Sequence, residues 1–388
     1  MLHRWRQWAQ LWNDIKRPQG SPPAIVNFSA EKQLSPQRVS GPLTTKVQVV
    51  DLQHETADTL SVVLKRLDGL PFQFLPGMFV TLLLPMEGQI VPRAYSIASA
   101  VQAPETIVIT VKRTPDGWAS AWLHEHLQTG MELTLRGPDG HFILRPDSQR
   151  SRQIIMIAGG SGITPILSML LSCLPVEEST VFHLVYASRD PESIIFRERL
   201  QALTEEFPEK LEITWVVESA TADWQGETGR LSNAMLQRVL TDRDFAHSSA
   251  YLCGPEPLML LGRDFLLASG VPAQAVMQEQ FSRPKSPEAQ EFSAQALTIE
   301  IGPQVWKGET EKAETLLESG LRLGVPMPYS CTLGGCGRCR IQVLEGQVYM
   351  PEPNGLMEDE KIQGYALACQ AHPCSAVKIR VAPPALGS

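Results

Sequence analysis

The chain has no run of 18 or more apolar residues, so no stretch of it reads as a membrane-crossing helix. Basic charge is not in excess: 34 Lys and Arg against 42 Asp and Glu give a formal net charge of -8. That balance argues against nucleic acid as the main partner. The opening stretch, MLHRWRQWAQLWNDIKR, lacks the continuous apolar core of a secretory signal. Cysteine is sparse, with seven in 388 residues. Four of those seven are spaced as ligands, so a cytoplasmic metal protein is expected rather than a disulfide scaffold.

What is present fills more than one core. A length of 388 residues calls for two or three domains, and 43% apolar with 20% charged residues is ordinary for a globular chain. Residues 1–42 form an N-terminal extension. Trp5, Trp8, Trp12 and Ile15 recur at helical spacing there, among Arg4, Arg6, Lys16 and Arg17. They predict a short helix that docks on the protein or a partner, with a membrane-surface helix as the alternative. Pro18 to Pro42 reads as a linker.

Residues 43–148 carry short β-branched runs, KVQVVDL, TLSVVLKRL, MFVTLLLP, TIVITVKR and MELTLRGP, broken by Gly and Pro. This texture predicts an antiparallel sheet closing as a barrel, with one helix in WASAWLHEHLQTG. Residues 149–282 alternate instead: strand QIIMIAGG, helix ITPILSMLLSCL, strand VFHLVYASR, helix ESIIFRERLQALTEEFP, strand LEITWVVES. Alternation of this kind predicts a parallel α/β sheet. Residues 283–296 read as a linker, and 297–388 as a compact domain of strands around one helix.

Cys331, Cys336, Cys339 and Cys369 make a C-x4-C-x2-C pattern with a late fourth cysteine. Four thiolates at this spacing suit a plant-type [2Fe–2S] cluster rather than zinc. Cys374 has no partner in the pattern and is expected to be structural or exposed. The stretch PYSCTLGGCGRCRIQVLEGQV, with ALACQAHP, closely resembles the C-terminal ferredoxin domain of flavin-containing NAD(P)H oxidoreductases.

RAYSIAS, Arg93 to Ser99, resembles the R-x-Y-S-x-x-S flavin motif of the ferredoxin–NADP reductase superfamily. By that resemblance Arg93 takes the pyrophosphate, Tyr95 packs on a flavin face and Ser96 approaches the N5 side, chemistry each side chain can supply. Val111 and Lys112 fall at a strand end near the flavin pyrimidine. Gly117, Trp118 and Ser120 begin a helix whose free amides suit phosphate. GWASAWLHEHLQTG and GPDGHF resemble the FAD-binding members of that superfamily, so the resemblance implies FAD rather than FMN.

MIAGGSGITPILSML resembles the glycine-rich nucleotide turn of the same superfamily, with Gly160, Gly162, Thr164 and Pro165 in the turn. YLCGPEPLM places Cys253, Gly254 and Pro255 at another strand end, where relatives hold the nicotinamide. Glu279 and Phe281 resemble the E-x-F ending near the flavin. Ser188 and Arg189 end a strand, where both suit a ribose 2′-phosphate and Arg189 equally suits adenine or a pyrophosphate; NADH is expected over NADPH.

The resemblance spans about residues 45–388 and points to the phenylacetate-hydroxylase-reductase and hybrid-cluster-protein-reductase branch. It implies a flavin barrel, an NAD(P) α/β domain and a β-grasp ferredoxin domain. It also implies hydride transfer to FAD and single-electron delivery to a protein acceptor. An oxygenase, a hybrid-cluster protein or a membrane desaturase remain open as that acceptor. A flavin-binding redox sensor is the competing class.

Overall fold

A computed structural model describes residues 44–86, 89–115, 117–281, 292–329, 332, 334–335, 337–351, 354, 356 and 358–381. The tryptophan stripe of the N-terminal extension lies outside these residues, as do Cys331 and Cys336.

The first sheet is antiparallel: β1 (Thr44–Thr56), β2 (Thr59–Arg66), β3 (Phe79–Met86), β4 (Gln89–Ser96), β5 (Thr106–Lys112) and β6 (Glu132–Asp139). Its strand order is β4-β3-β6-β1-β2-β5. Beyond β4, Ile97 makes an isolated bridge to Ile109 of β5, so the two edge strands approach one another. Val47, Val62, Leu64, Leu82, Ile107, Ile109 and Leu135 are fully buried in the core beneath this sheet. Helix α1 (Trp118–His126) lies against it through Ala119 and Leu123.

The second sheet is parallel: β7 (Gln153–Gly159), β8 (Val181–Ser188), β9 (Leu211–Val217), β10 (Glu227–Thr228), β11 (Ser248–Cys253) and β12 (Val276–Glu279). Helices α2 (Ile163–Cys173), α3 (Arg197–Glu206), α4 (Asn233–Val239) and α5 (Glu256–Ala268) alternate with the strands. β7 and β8 are almost continuously buried, as strands covered on both faces must be. The strand order is β10-β9-β8-β7-β11-β12. The chain therefore builds outward from β7 in one direction and then returns to its other side. The carboxyl ends of β7 and β11 frame the resulting switch point, where open α/β sheets bind ligands.

ESIIFRERLQALTEEFP is not one helix. A 3-10 turn spans Pro191–Ser193, and α3 starts only at Arg197, after Phe196 in left-handed backbone. Ile194, Ile195 and Phe196 are consecutive and all buried. The left-handed backbone at Phe196 interrupts the helical path, so α3 does not extend back through Ile194 and Ile195.

The third sheet contains β13 (Ala296–Ile301), β14 (Gln304–Glu309), β15 (Arg340–Glu345), β17 (Tyr365–Leu367) and β19 (Val377–Val381), in the order β14-β13-β19-β15-β17. A two-stranded ladder pairs β16 (Val348–Tyr349) with β18 (His372–Pro373), and α6 (Leu316–Arg322) and α7 (Glu358–Ile362) complete the unit. Thr315 and Glu318 form a reciprocal capping box that starts α6. No helix among the described residues is long and apolar enough to cross a membrane.

The three sheets meet through polar contacts. Ser168 Oγ on α2 donates to the Ser99 carbonyl at 2.7 Å, and Tyr251 OH on β11 donates to the Ile143 carbonyl at 3.2 Å. Arg338 Nη1 pairs with Asp139 Oδ1 at 3.0 Å, and the Arg136 guanidinium lies 5.5 Å from the centre of the Tyr329 ring. These last two contacts hold the third sheet against the end of β6.

Candidate functional site

A cleft of about 570 Å³ opens where the three units converge. That is within the size range of small-molecule sites. One wall is the β4 end with Arg93, Tyr95 and Ser96; a second is α1 with Gly117, Trp118 and Ser120. Thr164, Glu279, Gln280 and Phe281 come from the parallel-sheet unit, and Thr332 and Gly335 from the cysteine loop. β4 pairs with β3 in register Leu82↔Arg93 and Val80↔Tyr95, which turns Arg93 and Tyr95 to the same face.

Arg93 uses Nη1 to donate to the Pro92 carbonyl at 2.8 Å, leaving the rest of its fork toward the cleft. Burial pushes the Tyr95 phenol up, with Arg93 opposing it. Tyr95 is therefore a neutral ring. Ser96 Oγ donates to Glu279 Oε2 at 3.0 Å, a contact that ties the two walls together. Trp118 is 47% exposed at the cleft margin, a large apolar surface left open for a planar ligand.

Not every expected residue reaches the cleft. Val111 is fully buried behind the wall, and its carbonyl accepts from His124 Nε2 at 2.9 Å. Lys112 lines the cleft but also holds Asp58 at 3.0 Å. Ser120 Oγ donates to the Gly117 carbonyl at 2.9 Å and accepts from the Thr114 amide at 3.2 Å, so its bonds are local.

The nucleotide turn sits at the switch point. Tyr186 OH donates to the Gly160 carbonyl at 3.0 Å and fixes the turn. A Cβ on Gly162 would lie 2.0 Å from the Cys253 carbonyl oxygen. Glycine at 162 thus allows the two loops to pack this closely. Gly254 packs on Gly159, where an added Cβ would lie 2.9 Å from the Gly159 nitrogen, and Pro255 precedes α5. Thr164 Oγ1 donates to the Ser161 carbonyl, and Pro165 is buried in the first turn of α2.

Cys253 is fully buried, and burial followed by the nearby Glu279 charge pushes its thiol up. It stays protonated, which excludes a thiolate nucleophile at neutral pH. Arg189 is exposed and pairs with Asp58 Oδ2 at 3.0 Å. Burial alone would raise the Asp58 carboxyl, but bonds from Lys112, Thr56 and Thr59 overcome it and hold the group at about 2. Sequence reasoning missed Asp58 and Gln280. Asp58 is a hairpin residue with no motif around it, and its partner Arg189 is 131 positions away.

In the third unit Cys339 and Cys369 are buried, with their Sγ atoms 3.3 Å apart. That exceeds a disulfide bond of about 2.05 Å, and it brings two thiols to one point where a single metal ion can take both. This donor set fits an iron–sulfur cluster. The cleft size, the Arg93 fork and the Tyr95 ring likewise fit a flavin nucleotide. Cys374 is exposed.

Comparison with known proteins agrees with this geometry. Family models match for an oxidoreductase FAD-binding domain at residues 46–143, an oxidoreductase NAD-binding domain at 156–263 and a 2Fe-2S iron-sulfur cluster binding domain at 304–374. The glycine betaine monooxygenase reductase subunit of Chromohalobacter salexigens is 31% identical, with 86% of this chain and 94% of that protein covered. A component of the 1,2-phenylacetyl-CoA epoxidase of Escherichia coli is 30% identical over 84% of this chain and 94% of that protein. The 3-ketosteroid-9-alpha-monooxygenase ferredoxin reductase component of Rhodococcus rhodochrous is 36% identical over 82% and 91%. Among solved structures, phthalate dioxygenase reductase superposes with a TM-score of 0.58 at 25% identity, covering 88% of this chain and 98% of that one. The cofactors are therefore FAD and a [2Fe–2S] cluster, with NAD(P)H as co-substrate. The chain belongs to the ferredoxin-reductase family of FAD- and NAD(P)-binding oxidoreductases that carry a [2Fe–2S] cluster.

Proposed function

We propose that this chain is the reductase component of an oxygenase, drawing electrons from NADH and delivering them singly to an iron-containing oxygenase partner. The observation that carries the reading is one cleft walled at once by the flavin motif, the end of the nucleotide sheet and the cysteine loop. Three relatives named as monooxygenase or epoxidase components favour an oxygenase over a hybrid-cluster protein or a desaturase as acceptor.

Bound FAD supplies a two-electron acceptor that releases electrons one at a time, and the cluster carries them singly. The residues do the rest by position. The Arg93 fork would hold the FAD pyrophosphate, Tyr95 would cover one face of the ring system, and Ser96, which bonds Glu279, would approach its N5 side. Lys112, Gly117, Trp118 and Ser120 line the remaining flavin wall, with Val111 as backing and Phe281 closing the edge toward the cysteine loop. Gly160, Gly162, Thr164, Pro165, Gly254 and Pro255 shape the dinucleotide turn, and Arg189 meets its ribose end. Cys253 packs as a neutral thiol beside the nicotinamide. Cys331, Cys336, Cys339 and Cys369 ligate the cluster. We read the first sheet as a barrel closed through Ile97 and Ile109, and the third as a β-grasp.

The test is an anaerobic NADH titration of the FAD- and cluster-loaded protein, followed by addition of a purified non-haem iron oxygenase. Flavin and cluster absorbance should both bleach, and the oxygenase iron should then be reduced. Bleaching of flavin alone would refute the cluster route. Reduction of ferricyanide but of no oxygenase would refute the acceptor class.

A further inference from the structure

Gln280 follows β12, one residue beyond the Glu279 that binds Ser96. Its residue exposure is 6%, and both polar atoms of its side chain, Oε1 and Nε2, are buried without a hydrogen-bond partner among the described residues. A buried amide left unpaired is costly, and native proteins rarely tolerate one without a reason. Because both ends are unpaired, either orientation of the amide leaves an N–H2 group free.

Its surroundings narrow the choice of partner. Gln280 lines the flavin cleft, and its backbone also touches the cysteine loop: a Cβ on Gly335 would lie 2.6 Å from the Gln280 backbone carbonyl oxygen. Only a residue without a side chain lets the loop pass this close, and Cys336 is the next residue in sequence. Gln280 is thus fixed where the flavin wall and the cysteine loop meet. Thiolate and sulfide sulfurs accept hydrogen bonds and cannot donate them. An amide N–H2 that is shut away from water beside such a loop is the complementary group.

We propose that the Gln280 carboxamide donates a hydrogen bond to a sulfur of the [2Fe–2S] cluster and thereby positions the cluster's potential for electron uptake from the flavin. This rests on the cluster assignment given above. Reduction adds negative charge to the sulfurs, so a donor stabilises the reduced state and raises the potential. Replacing it with an apolar side chain should make electron uptake from flavin less favourable.

Redox titration of the loaded wild type, Gln280→Met and Gln280→Glu tests the proposal. Gln280→Met should lower the equilibrium constant for cluster reduction about tenfold, which is 59 mV for a one-electron couple. Gln280→Glu should lower it further, because an ionised carboxylate cannot donate and repels the added electron. The flavin potential should not move. A packing role would leave Gln280→Glu, nearly the same shape, like the wild type. In protein labelled with amide-15N glutamine, the reduced cluster should also show a nitrogen hyperfine coupling that Gln280→Met removes, which separates it from any coupling to Gln370, whose side-chain amide also lies at the cysteine loop. An unchanged cluster potential in both variants, a shift confined to the flavin, or no 15N coupling would overturn the inference. A wild type that binds no cluster would instead overturn the ligand assignment.

Discussion

Arg189 of the nucleotide unit donates to Asp58 Oδ2 at 3.0 Å, while Lys112 of the flavin unit holds Oδ1 of the same carboxylate, also at 3.0 Å. Asp58 is thereby a shared anchor at the β1–β2 hairpin. Arg189 is 65% exposed, so its half of the anchor is the weaker, as exposed pairs generally are.

This anchor bears on coenzyme choice. A ribose 2′-phosphate reaching Arg189 would also meet a carboxylate that is held ionised, with its carboxyl at about 2. NADH should therefore give the higher kcat/KM. Asp58→Asn removes the charge and frees Arg189, and should raise kcat/KM for NADPH relative to NADH by roughly two- to fivefold, the scale of one exposed pair. Steady-state kinetics with both coenzymes decide it. An unchanged ratio would place the 2′-position elsewhere.

Glu55 lies on β1 beside Ser61, and its carboxyl is pushed up to about 7. Burial is the main cause, the Ser61 bond opposes it, and Glu198 of α3 adds repulsion across the interface. The folded state thus keeps a proton that the unfolded chain, with an ordinary value near 4.5, has lost. Stability from this group is complete below about 4.5 and is lost as pH rises to about 7. Glu55→Gln should be relatively more stable at pH 8 than at pH 5, by roughly 1–2 kcal/mol after allowing for partial exposure. Urea melts of wild type and variant at the two pH values provide the measurement, and parallel curves would contradict it.

Arg93, Tyr95 and Ser96 were legible in sequence because one strand end carries all three, and strand alternation fixes which face each side chain takes. The GGSGITP and CGP turns were legible for the same local reason. Their dependence on each other was not, since the packing of Gly162 on the Cys253 backbone, close enough that an added Cβ would lie 2.0 Å from the Cys253 carbonyl oxygen, joins residues 91 apart in the chain only through the β7–β11 pairing. Ser120 shows the opposite failure. A helix-start serine has two uses, and in this structure its hydroxyl is taken by Thr114 and Gly117. Gln280 carried no pattern at all, since an orphaned amide is a tertiary fact.

Cys339→Ser should abolish the cluster while sparing FAD. Cys339 and Cys369 are buried together, so losing one thiolate leaves the other without a shared metal. Iron and sulfide content should fall to background, and NADH–ferricyanide activity, which can draw directly on flavin, should stay within about twofold of wild type, well under the tenfold that 1.36 kcal/mol would cost. Thermal unfolding of the C-terminal unit should also shift down, because metal binding is part of its folding energy. Cys374→Ser, at an exposed position, is the control and should change none of these. Full iron content in Cys339→Ser would remove it from the ligand set.

Gly162→Ala separates the nucleotide site from the rest of the machine. The added methyl would sit 2.0 Å from the Cys253 carbonyl oxygen, 2.4 Å from its carbon and 2.8 Å from the Gly254 amide nitrogen. All three are backbone atoms, so no side chain can swing aside, and one loop must move off the other. Displacing the Cys253–Gly254 turn moves the floor of the proposed nicotinamide site, where an error of about 1 Å can cost roughly 100-fold in rate. The flavin motif is on a different sheet, and the cysteine loop is on a third. FAD content and cluster content should therefore remain near wild type while NADH-dependent flavin reduction slows at least tenfold in stopped flow. Dithionite, which needs no nucleotide site, should reduce both centres as before. Normal NADH kinetics in this variant would mean that the two loops are not held together in solution, and with them would go the placement of nicotinamide against Cys253.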